Sequence, residues 1–249
     1  MYEELKLYVK AINREVKISV YKPDNNNACD VFYMFDGQNS FKDKFAPFGR
    51  SLRCAKHIDK INKEKCKNLM GVGIWCPDTD YGRLNEYMPF DVVKRNFPKG
   101  FKNDNSKAFS KSVIDEIIPF IESKYKVTEK RFLYGSSMGA LICLYTGITY
   151  KIFDTIALFS TASFLSKKAI YKFLYEANYS NIKIYLYTGG SEFSDKRFSP
   201  NMFLDEGNKI NNILKKKKAT YVYHVNKKGI HNEASWEKQL DTLFNYFYE

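Results

Sequence analysis

Apolar and polar residues alternate along Lys6–Lys10 and again along Val16–Tyr21, with Ala11-Ile12-Asn13-Arg14 between them. A period of two predicts half-buried strands, and so short a connection makes them an opening β-hairpin. The next apolar segment does not alternate: Val31-Phe32-Tyr33-Met34-Phe35 is continuous and stops at Asp36-Gly37. That pattern suits a strand of a parallel sheet covered on both faces. Leu69–Trp75 reads the same way, as does the shorter Phe132–Tyr134, which ends at a glycine; further strands are predicted at Thr155–Phe159, Ile182–Tyr187 and Ala219–Val225. Between them the apolar spacing becomes helical, over Ser51–Asn62, Lys107–Tyr125, about 165–177, 203–216 and Ala234–Phe247. Strand and helix alternate from residue 30 onward, so the chain is predicted to be α/β, with a mainly parallel sheet and helices on both faces. Neither an internal repeat nor a Gly/Ser linker interrupts it, which predicts one domain over 1–249. One connection is long: Cys76 to about Ser106 holds Pro77, Pro89, Pro98 and Gly100 and shows little periodicity. Loops beyond about 12–15 residues are usually functional or disordered, and the aromatic, Asp, Arg and Glu content here favours an ordered, functional one.

Composition narrows the class. Hydrophobic residues at 44% and charged residues at 27% fit a soluble globular protein and exclude disordered and collagen-like chains. No apolar run approaches the ~20 residues of a membrane span, and the alternating N-terminus lacks the apolar stretch of a signal peptide. Five cysteines in irregular spacing, without a CxxC pair or a nearby histidine cluster, imply neither a disulfide framework nor a zinc site. A cytoplasmic protein with reduced thiols is expected, with no metal, no cofactor and no membrane partner. The 40 Lys and Arg against 28 Asp and Glu give a net charge of +12, which would suit an anionic partner. The cations are scattered, however, and the one dense run, Lys215 to Lys218, closes a predicted helix where cations complement the dipole. A nucleic-acid partner is therefore not expected.

The sharpest motif is Tyr134-Gly135-Ser136-Ser137-Met138-Gly139-Ala140, which contains G-x-S-x-G. By average composition a chain of this length contains such a match by chance about one time in ten. Context makes it more specific: it follows a short apolar strand and precedes the apolar stretch Ala140–Leu144, the strand, tight turn and helix that a nucleophile elbow requires. A serine nucleophile needs a base, and the chain has three histidines. His57 falls in an amphipathic helix and His224 inside a predicted strand, where packing explains each. His231 falls in a loop after the last strand, at the strand carboxyl ends, on the edge that carries Ser137. The third member lies between them in the order nucleophile, acid, histidine. Glu192 and Asp195 both follow strand Ile182–Tyr187; Glu192, nearer the strand end, is preferred, with Asp195 in reserve.

Four segments then carry a family likeness: Phe35-Asp36-Gly37-Gln38-Asn39, Arg83-Leu84-Asn85-Glu86-Tyr87-Met88-Pro89, the elbow Gly135–Gly139, and His231-Asn232-Glu233-Ala234-Ser235-Trp236. Together they make the chain resemble the α/β-hydrolase esterase family that includes esterase D, feruloyl esterases and siderophore esterases. The resemblance implies a carboxylic-ester hydrolase acting on a small-molecule ester of a small or aromatic acid. Its nucleophile would be Ser137, its base His231 and its acid near Glu192, with an oxyanion hole from the N–H groups of Gln38 and Met138. Many relatives carry His-Gly-Gly or a similar stretch where this chain has Asp36-Gly37-Gln38. Phe41, Trp75, Tyr81 and Tyr87 are candidates for the substrate pocket, and Arg83 and Glu86 for bracing the long loop through a salt bridge. An acyltransferase would use the same triad, and the sequence leaves a homo-oligomer open.

Overall fold

In the computed structural model the two alternating runs form β1 (Tyr2–Val9) and β2 (Arg14–Tyr21), paired antiparallel around a turn in which Asn13 takes the left-handed conformation. The structure describes residues 1–79, 81–92, 97, 101, 105–192, 199 and 201–249. The continuous apolar runs form β3 (Cys29–Phe35), β4 (Leu69–Ile74), β5 (Val127–Ser136), β6 (Thr155–Phe159), β7 (Lys183–Gly189) and β8 (Thr220–Asn226). All eight lie in one sheet of order β1-β2-β4-β3-β5-β6-β7-β8, antiparallel from β1 through β4 and parallel from there on.

Because successive side chains of a strand point to opposite faces, β3 divides its residues between two cores. Val31, Tyr33 and Phe35 enter one cluster, while Phe32 and Met34 enter the other. The first face is covered by helices α3 (Ser106–Ser112), α4 (Ile118–Lys124), α5 (Met138–Tyr150), α6 (Lys167–Glu176) and α7 (Met202–Lys216). The second is covered by α1 (Cys54–Lys65), α8 (Glu233–Glu237) and α9 (Leu240–Phe247), and it is largely aromatic. There Phe247 stacks on Phe132 with centroids 4.0 Å apart and also meets Phe32 and Phe244. His224 stacks on Tyr185, and burial pushes its imidazole below the usual value. His57 bonds Asp241 at 2.5 Å and thereby joins α1 to α9.

Several predicted elements differ in extent. The helix expected over Lys107–Tyr125 is α3 and α4 joined by a wide π turn at Val113–Ile117. Pro119 has no N–H to donate, and its ring crowds the carbonyl four residues back, which the wider turn relieves. The short strand expected at Phe132–Tyr134 is ten residues long, because its polar first half pairs with β3 and its last two residues, Gly135 and Ser136, pair with β6. The last helix is two, parted at Lys238-Gln239. The long connection after β4 is not without helix: it contains α2 (Gly82–Tyr87). Among the described residues no helix is long and apolar enough to cross a membrane, and the five cysteines are free.

Candidate active site

Every strand from β3 to β8 runs in the same direction, so the turns that follow them gather at one edge. The turn after β5 is tight. Ser137 sits at φ 56°, ψ −120°, a strained conformation for a residue with a side chain, and its N–H donates to Phe159 O at 2.8 Å. Glycine is required beside it: a Cβ on Gly135 would lie 1.9 Å from the carbonyl oxygen of Gly139. The turn can close only because that space is empty.

The loops that carry Glu192 and His231 are joined backbone to backbone. Beyond β7 and β8, Gly190 N–H donates to Asn226 O at 2.8 Å and Ser191 N–H to Gly229 O at 3.0 Å. This extension carries Glu192 back over the sheet edge. On the other side, Asn232 caps α8 by accepting from Ser235 N–H, while Ile230 N–H donates to Ser235 Oγ, and His231 is fixed between these two bonds. Glu192 Oε2 lies 2.8 Å from His231 Nδ1, with 1% of the Glu192 side chain and 25% of the His231 side chain exposed. Glu192 Oε1 accepts from Gly189 N–H and, at 2.5 Å, from Ser160 Oγ, which itself accepts from Trp236 Nε1–H at 2.9 Å. The imidazole is held flat by Phe203, stacked at 4.4 Å, and edge-on by Trp236 at 5.0 Å.

Ser137 and His231 open into one cleft of about 390 Å³, together with Asp36, Gln38, Asn39, Arg83, Glu233 and Trp236. Pro47 and the 85% exposed Phe48 form its outer rim. Gln38, Pro47 and Arg83 also line a second cleft of about 510 Å³, which continues to Phe45, Trp75, Cys76, Arg14 and Lys17. Met138 is the first residue of α5, where N–H groups have no intrahelical partner.

Burial shifts two acidic groups here upward. Burial raises the Glu233 carboxyl above its ordinary value, and the neighbouring Asp36 adds to the effect. Burial pushes the Cys76 thiol up to about 12, again with a contribution from Asp36.

The expected pocket residues separate. Trp75 lines the second cleft and meets Phe45 edge-on at 5.2 Å. Tyr87 does not line either cleft: it is fully buried against Phe35 and Phe109, and its Oη accepts from Asp36 N–H. Phe41 packs in the core against Tyr2 and Tyr21 instead, because α1 and β2 close over it. Tyr81 is on the surface, 45% exposed, and outside both linings. Arg83 and Glu86 brace the long loop with different partners rather than each other: Arg83 with Asp36, and Glu86 with Arg14 at 2.6 Å. The reserve acid Asp195 lies outside the described residues.

Sequence reading missed Ser160 and Phe203, and Trp236 was noticed only as part of a motif. Ser160-Thr161-Ala162-Ser163, a small polar cluster just past a buried strand, was the available signal for the first.

A sheet of this order, with a serine elbow after β5 and a histidine loop after β8, defines a member of the α/β-hydrolase fold class. The chain belongs to the "Putative esterase" family, whose model matches residues 9–247, and that membership supports carboxylic-ester hydrolysis. The uncharacterized protein YjcH of Bacillus subtilis (strain 168) is 22% identical over 244 residues, covering 94% of this chain and 92% of YjcH. In structure the chain is similar to an IroE-like serine hydrolase from Shewanella oneidensis, with a TM-score of 0.77, 16% identity, and coverage of 98% of this chain and 80% of that one. It is also similar to the enterobactin esterase FES from Shigella flexneri, with a TM-score of 0.77 and 14% identity; 99% of this chain matches 59% of that one. At such identities the likeness carries the fold and not the substrate.

Proposed function

We propose that the protein is a serine esterase that hydrolyses small carboxylic esters, of short or aromatic acids, through an acyl-enzyme. The observation that carries this reading is the convergence of Ser137 and His231 in one cleft, with the buried Glu192 carboxylate 2.8 Å from His231 Nδ1. His231 Nδ1–H faces Glu192, so the other ring nitrogen is left to take the Ser137 proton as Oγ attacks the ester carbonyl. Glu192 steadies the imidazolium that forms, and the Ser160 and Gly189 donors keep that carboxylate aimed. The N–H groups of Gln38 and Met138 would receive the oxyanion, each worth roughly 3–4 kcal/mol in a preorganised site. The imidazolium returns the proton to the departing alkoxide. Water then attacks the acyl-enzyme with His231 as base, and collapse releases the acid and free Ser137.

The test combines a p-nitrophenyl ester panel of increasing acyl length, with an aromatic member, and labelling by a fluorophosphonate. Wild type is expected to turn over at least the short esters and to be labelled at Ser137. Ser137→Ala should lose both, with kcat down about 10⁴–10⁶-fold. A folded Ser137→Ala protein that keeps a tenth of wild-type turnover would sink the proposal.

A further inference from the structure

Arg83 lies in α2, within the long connection after β4 and far along the chain from the triad, and it reaches the turn after β3. Its Nε and Nη2 donate to the two carboxylate oxygens of Asp36, each at 2.7 Å. The Asp36 side chain is 6% exposed and its backbone is left-handed, at φ 54°, ψ 48°. Next along the chain, Gly37 is pressed so closely on β4 that a Cβ there would lie 2.2 Å from the Gly73 carbonyl carbon. The residue after that is Gln38, whose N–H would complete the oxyanion hole. The turn is therefore forced into an unfavourable shape just before a catalytic amide.

α2 supplies what holds that shape. Tyr87 Oη accepts from Asp36 N–H at 2.8 Å, while Arg83 grips the carboxylate and stacks over the Tyr87 ring at 5.1 Å. Although burial alone would depress it, the Arg83 guanidinium is held above its ordinary value by Asp36. A bidentate fork fixes the angle of a carboxylate as well as its position, which a lysine cannot do. On the far side Asn39 Nδ2 donates to Glu233 Oε1 at 2.8 Å. The turn is thus clamped from α2 and from α8 at once.

We infer that Arg83 is a positioning residue for the oxyanion hole, acting through Asp36 to aim the Gln38 N–H; this rests on the esterase reading above. The chemical consequence is specific. Loosening the clamp leaves substrate entry, the nucleophile and the base intact, but removes stabilisation that exists only once the carbonyl oxygen carries charge. A displacement of about 1 Å at such a donor can cost 10²-fold in rate.

The experiment uses the full chain, p-nitrophenyl butyrate, and an alkyl trifluoromethyl ketone whose serine adduct places an oxyanion in the hole. Arg83→Met is expected to lower kcat about 30- to 100-fold with KM changed less than about threefold. Its Ki for the ketone should rise by the factor by which kcat/KM falls. Arg83→Lys should recover only a small part of the loss. Asp36→Asn, which keeps the volume and tolerates the left-handed turn, should reproduce the defect, and the double variant should be no worse than either single one. Because Asp36→Asn makes the same claim independently, an Arg83→Met protein that fails to fold leaves the test in place. A folded variant of either residue with kcat within threefold of wild type overturns the inference. So does a raised KM at unchanged kcat, the sign of direct substrate contact, or a lowered kcat with unchanged ketone affinity. Ser137→Ala is run alongside: if it stays active the esterase reading itself has failed, whereas an inactive Ser137→Ala beside a normal Arg83→Met removes this inference alone.

Discussion

The carboxylate of Glu192 is gripped at three points. Oε2 faces His231, while Oε1 takes Gly189 N–H and the Ser160 hydroxyl. Replacing Glu192 by Gln keeps the shape but puts an amide where an acceptor must face Nδ1–H, so kcat should fall about 10⁴-fold, as when a triad carboxylate is lost. Ser160→Ala removes one donor and leaves Trp236 Nε1–H unpaired in a buried place. Its expected cost is 10- to 100-fold in kcat, the equivalent of a hydrogen bond to a charged group of about 1.5–3 kcal/mol. Steady-state kinetics on one ester separates the two. Equal losses would mean that Ser160 takes a direct part in the reaction, and no loss in Glu192→Gln would leave the acid unassigned.

At the scale of elements, α7 is a support for the histidine loop. Phe203 stacks on His231, and one turn later Glu206, 1% exposed, fastens the helix from beneath. It accepts from Ser163 Oγ in the turn after β6, and from Tyr171 Oη and Lys167 Nζ on α6. Burial by itself would push this carboxyl up, but those donors outweigh it and hold it below the ordinary value. A carboxyl depressed in the folded state contributes stability that is complete above its unfolded pKa and is lost as pH falls through the folded one. Glu206→Gln should therefore destabilise by about 1.5–3 kcal/mol at pH 7. The gap to wild type should begin to narrow as pH falls below the unfolded carboxyl value of about 4.3 and go on narrowing towards the lower folded one. Urea unfolding at pH 7, 5 and 3.5 measures this; a gap that widens towards acid would contradict the sign. Phe203→Ala should lower kcat more than it lowers stability, since the ring it frees belongs to His231.

Across the molecule, one sheet separates two apolar cores, and strands such as β3 feed both. Unfolding either face exposes the other, so loss of activity and loss of buried aromatic fluorescence should share one urea midpoint. Phe247→Ala, on the face away from the elbow helix α5, removes contacts with Phe32, Phe132 and Phe244. Its expected cost is about 3–5 kcal/mol, with both midpoints moving together. Two separated transitions would argue against the single domain expected from residues 1–249.

What the sequence determined by itself was whatever local physics decides. Continuous apolar runs predict doubly covered strands; β4 and β6 follow them to within a residue at each end, and β3 begins two residues before its run. The elbow was legible because a turn that tight demands glycine at Gly135, and the placing of His231 because a loop after a parallel strand falls at the carboxyl edge; the need for glycine at Gly139 comes from the distant Asp36, whose carboxylate a Cβ there would meet at 2.9 Å. Tertiary structure decided matters that turn on distant residues meeting. Tyr87 and Phe41 carry the composition of pocket residues, yet α3 and β2 close over them, and a side chain's neighbours are not a property of its own segment. Arg83 and Glu86, three apart on one short helix, look like a local pair; Asp36 and Arg14, brought in by β3 and β2, are better placed and take one each. Ser160 and Phe203 had no motif to announce them, because their roles consist of touching Glu192 and His231, and that contact exists only when β6, β7, α7 and the last loop share one edge of the sheet.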